Sequence, residues 1–292
     1  MTHTAQESMP ASPLASGHAR QRLLVAVSRS AFARELYARF SRLPLLGPLI
    51  HRAAASVLAV GQRTWVRIPG GLAQGLWLAV DTRFEPQFLS GHYELQAQEI
   101  LSTYLRPGDC FYDVGAHVGF LSLCAARTVG ESGLVVAFEP EPENAEVLRE
   151  AARRNAMPQI RVIEAAVWSS SGPIDFQRAG KASSRVDGQV GPIANWEDDN
   201  RVRIDGLSLD DFVQRSTFPL PKLLKIDVEA AESEVLKGAS YLFHTHAPLL
   251  LCEIHNTSNE AAVCTWLKQR KYQVRWLGNR RPFPVHLLGF RG

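Results

Sequence analysis

Between residues 110 and 254 short apolar runs alternate with amphipathic stretches, so the chain reads as strands and helices taking turns. Phe111-Tyr-Asp113 ends one run at a glycine turn, and Val135-Val-Ala-Phe138 ends the next at Glu139. Ile160–Val167 predicts a third strand, Leu223–Asp227 a fourth and Pro248–Ile254 a fifth. A helix from His92 to Leu105 leads through the turn Arg106-Pro107-Gly108-Asp109 into the first strand. Pro140 and Pro142 open a helix over Glu143–Arg154, acidic at its start and basic at its end as the helix dipole favours, with Asn155 as its cap. Further helices end at Lys237-Gly238 and span Asn259–Arg270, and Asp210-Asp211 starts one at Phe212. Ile174–Gln177 reads as an edge strand, and Tyr272–Leu277 with Val285–Phe290 complete the sheet. The fold class is therefore α/β: a doubly wound, mostly parallel sheet of Rossmann-like type with helices on both faces.

Two stretches fall outside this alternation. Residues 57–90 alternate apolar and polar positions around several glycines and predict a small β-rich lead-in. The polar, Gly-, Ser- and Asp-rich stretch 179–200 predicts a long loop able to act as a lid or to bind an acceptor. At the N-terminus Phe32, Leu36, Phe40 and Leu43 recur at helical spacing. The expected organisation is a basic extension over residues 1–56, disordered for about its first 18 residues and then helical, followed by one domain over residues 57–292.

Charge sharpens that division. Residues 1–52 hold seven Arg, no Lys and two Glu, a net of +5, which leaves 25 basic and 27 acidic residues in the rest, a net of −2. A body without a basic excess lacks what phosphate-backbone binding needs, so nucleic acid is not an expected partner. The Arg-rich start allows peripheral contact with a membrane surface. Its apolar run Leu43–Ile50 is far short of the roughly 20 residues that span a bilayer, so no transmembrane segment is expected. Hydrophobic residues make up 46% of the chain, ample for a core. Cys110, Cys124, Cys252 and Cys264 show neither metal-binding nor disulfide spacing and read as reduced thiols of a cytoplasmic protein.

The candidate chemistry lies where the predicted strands end. Glu139 follows Gly115 by 24 residues, placed to accept hydrogen bonds from two ribose hydroxyls. Three residues separate Gly115 from Gly119, and the third glycine of a dinucleotide turn is missing. That spacing fits a nucleoside without phosphates and points to S-adenosylmethionine. Asp113, Asp227 with Glu229, and Glu253 with His255 all stand at carboxyl ends of strands, which share one rim in a parallel sheet. Asp227, Glu229 and His255 are the candidates for a base acting on a hydroxyl nucleophile. Glu253 and His255 alternate on one strand and so face one cleft, and a neighbouring carboxylate would raise the imidazole pKa toward neutrality. The expected reaction needs no metal, although the same groups suit a divalent cation. An NAD-dependent oxidoreductase and a non-catalytic adenosyl-ligand or partner-binding domain are the alternative readings.

The ordered set Asp113-Val-Gly115-Ala-His117-Val-Gly119, Phe138-Glu139-Pro140-Glu-Pro-Glu-Asn144 and Lys225-Ile-Asp227-Val-Glu229-Ala-Ala-Glu232, with Gly91-His-Tyr93-Glu94 upstream, resembles the FkbM-type methyltransferases over about residues 65–256. The resemblance implies an S-adenosylmethionine-dependent O-methyltransferase acting on a hydroxyl of a sugar, glycan or natural product. It implies that Asp113, Gly115, His117 and Gly119 hold the amino acid part of the cofactor and Glu139, followed by Pro140, the ribose. Ala165 and Ala166 would border the adenine, with Tyr93 and Glu94 on the helix covering the cofactor. Two positions depart from the family pattern: His117 replaces a common Asn, and Ala230 replaces a common Gly. If the backbone at Ala230 needs a positive φ, alanine is strained there.

Overall fold

The computed structural model describes residues 63–81, 85–177, 189–190 and 201–291. The expected N-terminal extension and its helix, and all of the 179–200 loop except Gln189–Val190, lie outside the described residues.

A hairpin of β1 (Thr64–Arg67) and β2 (Trp77–Val80) precedes α1 (Leu95–Tyr104). The alternation then runs β3 (Cys110–Val114), α2 (Phe120–Val129), β4 (Leu134–Phe138), α3 (Pro142–Arg154) and β5 (Ile160–Ile163). Next come β6 (Ala166–Val167), β7 (Gly172–Gln177), β8 (Gln189–Val190), β9 (Arg201–Leu207) and α4 (Leu209–Arg215). The described chain closes with β10 (Leu223–Ile226), α5 (Glu232–Lys237), α6 (Ser240–Thr245), β11 (Leu249–Ile254), α7 (Thr257–Gln269), β12 (Gln273–Leu277) and β13 (Val285–Phe290).

The main sheet has seven strands in the order β12-β13-β11-β10-β3-β4-β5. Strands β11, β10, β3, β4 and β5 pair in parallel, and β13 lies antiparallel to both neighbours. Side chains alternate across the sheet as the two-residue strand period demands. Phe111, Val135, Leu223 and Leu251 point into one core with α1 and α2, while Tyr112, Val136, Leu224 and Cys252 point into the other with α5 and α6. The expected doubly wound sheet, covered on both faces, is therefore what forms. Its strand order reverses between β3 and β10, where such folds open a crevice at the strand carboxyl ends.

Several expectations need correction. The run Ile160–Val167 is two strands: β5 ends at Ile163, the chain turns with Ala165 N bonding to Ile163 O at 3.1 Å, and β6 joins a second sheet. That four-stranded sheet, β6-β9-β7-β8, was not anticipated, because β9 mixes charged and apolar residues without a clean run. The helix expected over His92–Leu105 begins at Leu95, since Glu94 takes a left-handed φ of 47°. Helix α4 starts at Leu209 rather than Phe212, with Ser208 Oγ capping the amide of Asp211. Asp210 instead caps α6, accepting from the amides of Tyr241 and Leu242 at 2.9 Å each. Helix α6 itself was unforeseen. Of the cysteines, Cys110, Cys124 and Cys252 are buried as expected and Cys264 is half-buried. Among the described residues no helix is long and apolar enough to cross a membrane.

Candidate active site

A cleft of about 510 Å³ opens over the carboxyl ends of β3, β4, β10 and β11, a volume within the usual range for small-molecule sites. Asp113, Gly115, His117, Glu139, Pro140 and Ala166 line one part of it. Tyr93, Glu94, Asp227, Glu229 and His255 line the rest, together with Glu253. Gly119, expected at the cofactor, is not among the residues that line the cleft. Gly119 is instead the cap of α2 at φ 89°, and a Cβ there would meet Leu148 Cδ1 at 2.0 Å, so its glycine serves helix packing.

The glycine turn is shaped by its neighbours. Gly115 has φ 77°, and a Cβ on it would stand 1.8 Å from the carbonyl oxygen of Asp227 on the adjacent strand end. His117 also lies in the left-handed region at φ 51°, a conformation for which Asn, Asp and His are enriched. That turn aims the His117 amide at Glu139 Oε2, 2.7 Å away. Glu139 Oε1 accepts from the Glu141 amide at 3.0 Å and from Asn144 Nδ2 at 3.4 Å. With three donors on two oxygens the carboxylate keeps lone-pair capacity facing the cleft. Burial pushes its pKa up to about 7 against those hydrogen bonds. Arg63 Nη2 braces Asn144 Oδ1 at 2.7 Å and Glu85 Oε1 at 3.1 Å.

Beneath the turn lies a buried ion cluster. Lys225 and Asp113 sit directly opposite each other in the β10/β3 register, with Lys225 Nζ 3.2 Å from Asp113 Oδ1 and 3.3 Å from Asp227 Oδ2. The ammonium also donates to Gly115 O at 2.7 Å, and Ser122 Oγ donates to Asp113 Oδ2 at 2.6 Å. Burial raises the Asp113 pKa in spite of Lys225, whereas at Asp227 burial is outweighed by Lys225 and His255, which lower it. Lys225 is a site residue whose role the sequence reading did not single out. The signal was available: a lysine inside the apolar run Leu223-Leu-Lys-Ile226 must find carboxylate partners when the strand is central.

His255 is held by a carboxylate other than the expected one. Its Nδ1 lies 2.7 Å from Oε1 of the fully buried Glu232 on α5. Its Nε2 stands 3.5 Å from both Asp227 Oδ1 and Glu229 Oε2. Burial disfavours the imidazolium, but Glu232, Glu229 and Asp227 together outweigh that and raise the pKa to about 9, beyond the neutral value anticipated. Glu253 shares the cleft with His255 as the strand period predicts, yet its carboxylate turns toward His286, 3.7 Å away. Burial, with Asp227 and Glu94 nearby, raises Glu253 to about 9. The turn after Asp227 is left-handed at Glu229 (φ 50°) and at Ala230 (φ 75°), so alanine occupies the strained position that the sequence comparison flagged.

Residues 113–274 match the Methyltransferase FkbM domain, more than half of the chain and the part that carries the glycine turn, Glu139, Lys225 and His255. The chain belongs to the FkbM methyltransferase family. It is 28% identical over 163 residues to the hexuronic acid methyltransferase AglP of Haloferax volcanii. That alignment covers 56% of this chain and 63% of the relative, so the chain spans less than two thirds of the curated relative's length. Among solved structures it is similar to methyltransferase FkbM from Methylobacillus flagellatus KT, with a TM-score of 0.45 at 18% identity, covering 84% of this chain and 60% of that one. It is also similar to precorrin-6y C5,15-methyltransferase from Geobacter metallireducens, with a TM-score of 0.45 at 10% identity, covering 68% of this chain and 90% of that one.

Proposed function

We propose that this FkbM-family chain transfers a methyl group from S-adenosylmethionine to a hydroxyl of a sugar or glycan. The observation that carries the reading is that one cleft joins Glu139, with free acceptor capacity, to the carboxylate-held imidazole of His255. The residues fit such a cofactor. Glu139 would accept from the ribose hydroxyls, Pro140, Ala165 and Ala166 with Phe176 would wall the adenine, and the turn Asp113–His117 would face the amino acid end. Tyr93, packed edge-on against Phe88 and Phe120 at ring distances of 4.7 and 5.5 Å, and the neighbouring Glu94 would close the side. The hexuronic acid methyltransferase named among the relatives supports a saccharide acceptor.

When bound, S-adenosylmethionine supplies an electrophilic methyl carbon with a neutral leaving group, so alignment rather than acid catalysis carries that side of the reaction. An alcohol needs a base as the new bond forms. Glu232 holds Nδ1 of His255, which leaves Nε2 as the nitrogen turned toward Asp227, Glu229 and the cleft. With its pKa raised to about 9, His255 holds its proton at neutral pH, and a positive charge placed beside it would favour the neutral imidazole that can take the acceptor proton. Calorimetry tests the reading: S-adenosylmethionine binds and NADH does not, and labelled methyl appears on a saccharide acceptor. Binding of NADH in place of S-adenosylmethionine would overturn it.

A further inference from the structure

We propose that Glu94, Glu253 and His286 hold a divalent cation beside the acceptor end of the cleft. Three separate elements deliver these groups. Glu253 on β11 and His286 on β13 are direct partners in the antiparallel register, so their side chains leave the sheet on one face. Glu94 reaches the same point from the start of α1, with its backbone held at the left-handed φ of 47°. Their ligand atoms all lie within 4.8 Å of one another.

The separations suit a shared ion better than direct bonding. His286 Nε2 stands 3.7 Å from Glu94 Oε2 and 3.7 Å from Glu253 Oε2, too far for hydrogen bonds. Two atoms each about 2.1 Å from one metal ion stand roughly 3–4 Å apart. Glu253 is only 9% exposed. Among the described residues its carboxylate makes no hydrogen bond, only the long ion pair to His286. A divalent ion held through both carboxylates and the imidazole nitrogen would meet a formal ligand charge of −2. The mixed oxygen and nitrogen set suits Mn²⁺, Fe²⁺ or Zn²⁺ more than Ca²⁺.

Three protein ligands leave coordination positions open, and these would take hydroxyl oxygens of the acceptor. Glu253 also groups with Asp227 and His255, their ligand atoms within 4.8 Å, so the ion would adjoin the proposed base. The binding site stands on geometry alone, and its part in acceptor placement rests on the methyl-transfer reading above.

The test is titration of the full chain, freed of metal by a chelator, with Mn²⁺ read by calorimetry and electron paramagnetic resonance. One Mn²⁺ binds per chain, and Glu94→Gln and His286→Asn each weaken it at least about 10-fold. Glu94→Gln keeps side-chain volume, and thermal melting of each variant confirms folding. No saturable uptake at millimolar Mn²⁺, or uptake undiminished in both variants, overturns the site. So does uptake lost in Asp227→Asn but kept in those two, because the ion would then belong to the neighbouring group. S-adenosylmethionine binding is measured in the same metal-free sample. If it persists without Mn²⁺ uptake, the cation fails and methyl transfer stands; if Mn²⁺ binds and S-adenosylmethionine does not, methyl transfer fails and the cation stands.

Discussion

Glu232 and His255 are joined at 2.7 Å, a buried carboxylate on α5 gripping the imidazole that follows β11. The pair fixes which nitrogen faces the cleft. His255→Ala is therefore expected to lower turnover by about 10²–10⁴ with cofactor affinity near that of the parent. Glu232→Gln can still accept from Nδ1–H and loses less than Glu232→Ala. Single-turnover rates together with calorimetric Kd values check this. Full activity in His255→Ala would move the base to Glu229 or Asp227.

If Glu139 holds the ribose as proposed, it would link cofactor affinity to pH. Its folded pKa of about 7 lies above the ordinary carboxylate value because of burial, so below pH 7 it gains a proton and loses acceptor capacity. S-adenosylmethionine affinity is expected to fall as pH drops through about 7 and to level off above it. His117 beside it is held down to about 3 by burial and Arg63, so it stays neutral across this window and adds no second step. Glu139→Ala should abolish the pH dependence and cost about 1–3 kcal/mol of binding. Calorimetry from pH 5.5 to 8.5 on both proteins decides it; a pH dependence that survives in Glu139→Ala refutes the assignment.

The cluster under the turn predicts an asymmetric stability effect. Lys225→Met strips the buried Asp113 of its counter-ion and is expected to cost about 3–5 kcal/mol. The double variant Lys225→Met/Asp113→Asn removes both charges and should recover much of that loss. Urea unfolding of the single and double variants measures the coupling, and simple additivity would show that the pair is not interacting.

Two small-residue exchanges should move stability in opposite directions. Gly115→Ala drives a Cβ into the carbonyl oxygen of Asp227 at 1.8 Å and is expected to cost at least about 2 kcal/mol. Ala230→Gly relieves a left-handed alanine at φ 75° and should stabilise by about 0.5–1 kcal/mol, net of the entropy glycine adds to the unfolded chain. Thermal melting reads both; a destabilised Ala230→Gly would mean that the methyl group packs usefully.

The sequence alone determined the strand–helix alternation, the glycine turn facing Glu139, and the gathering of Asp113, Asp227 and His255 at one rim. These follow from local rules: the two-residue period of strands, the 3.6-residue period of helices, and the shared carboxyl edge of a parallel sheet. Tertiary structure decided what the carboxylates and cations do to one another. Glu253, two residues before His255 near the end of β11, was the expected partner, and Glu232, 23 residues away, is the actual one. Whether Lys225 meets Asp113 depends on β10 lying beside β3 in that register, a pairing set by sheet order rather than by any local pattern. The same holds for Glu253 and His286, which belong to strands that only the antiparallel edge brings together. Periodicity fixes the face on which a side chain stands, whereas pairing across the sheet fixes its partners, and the chemistry of the cleft resides in those pairings.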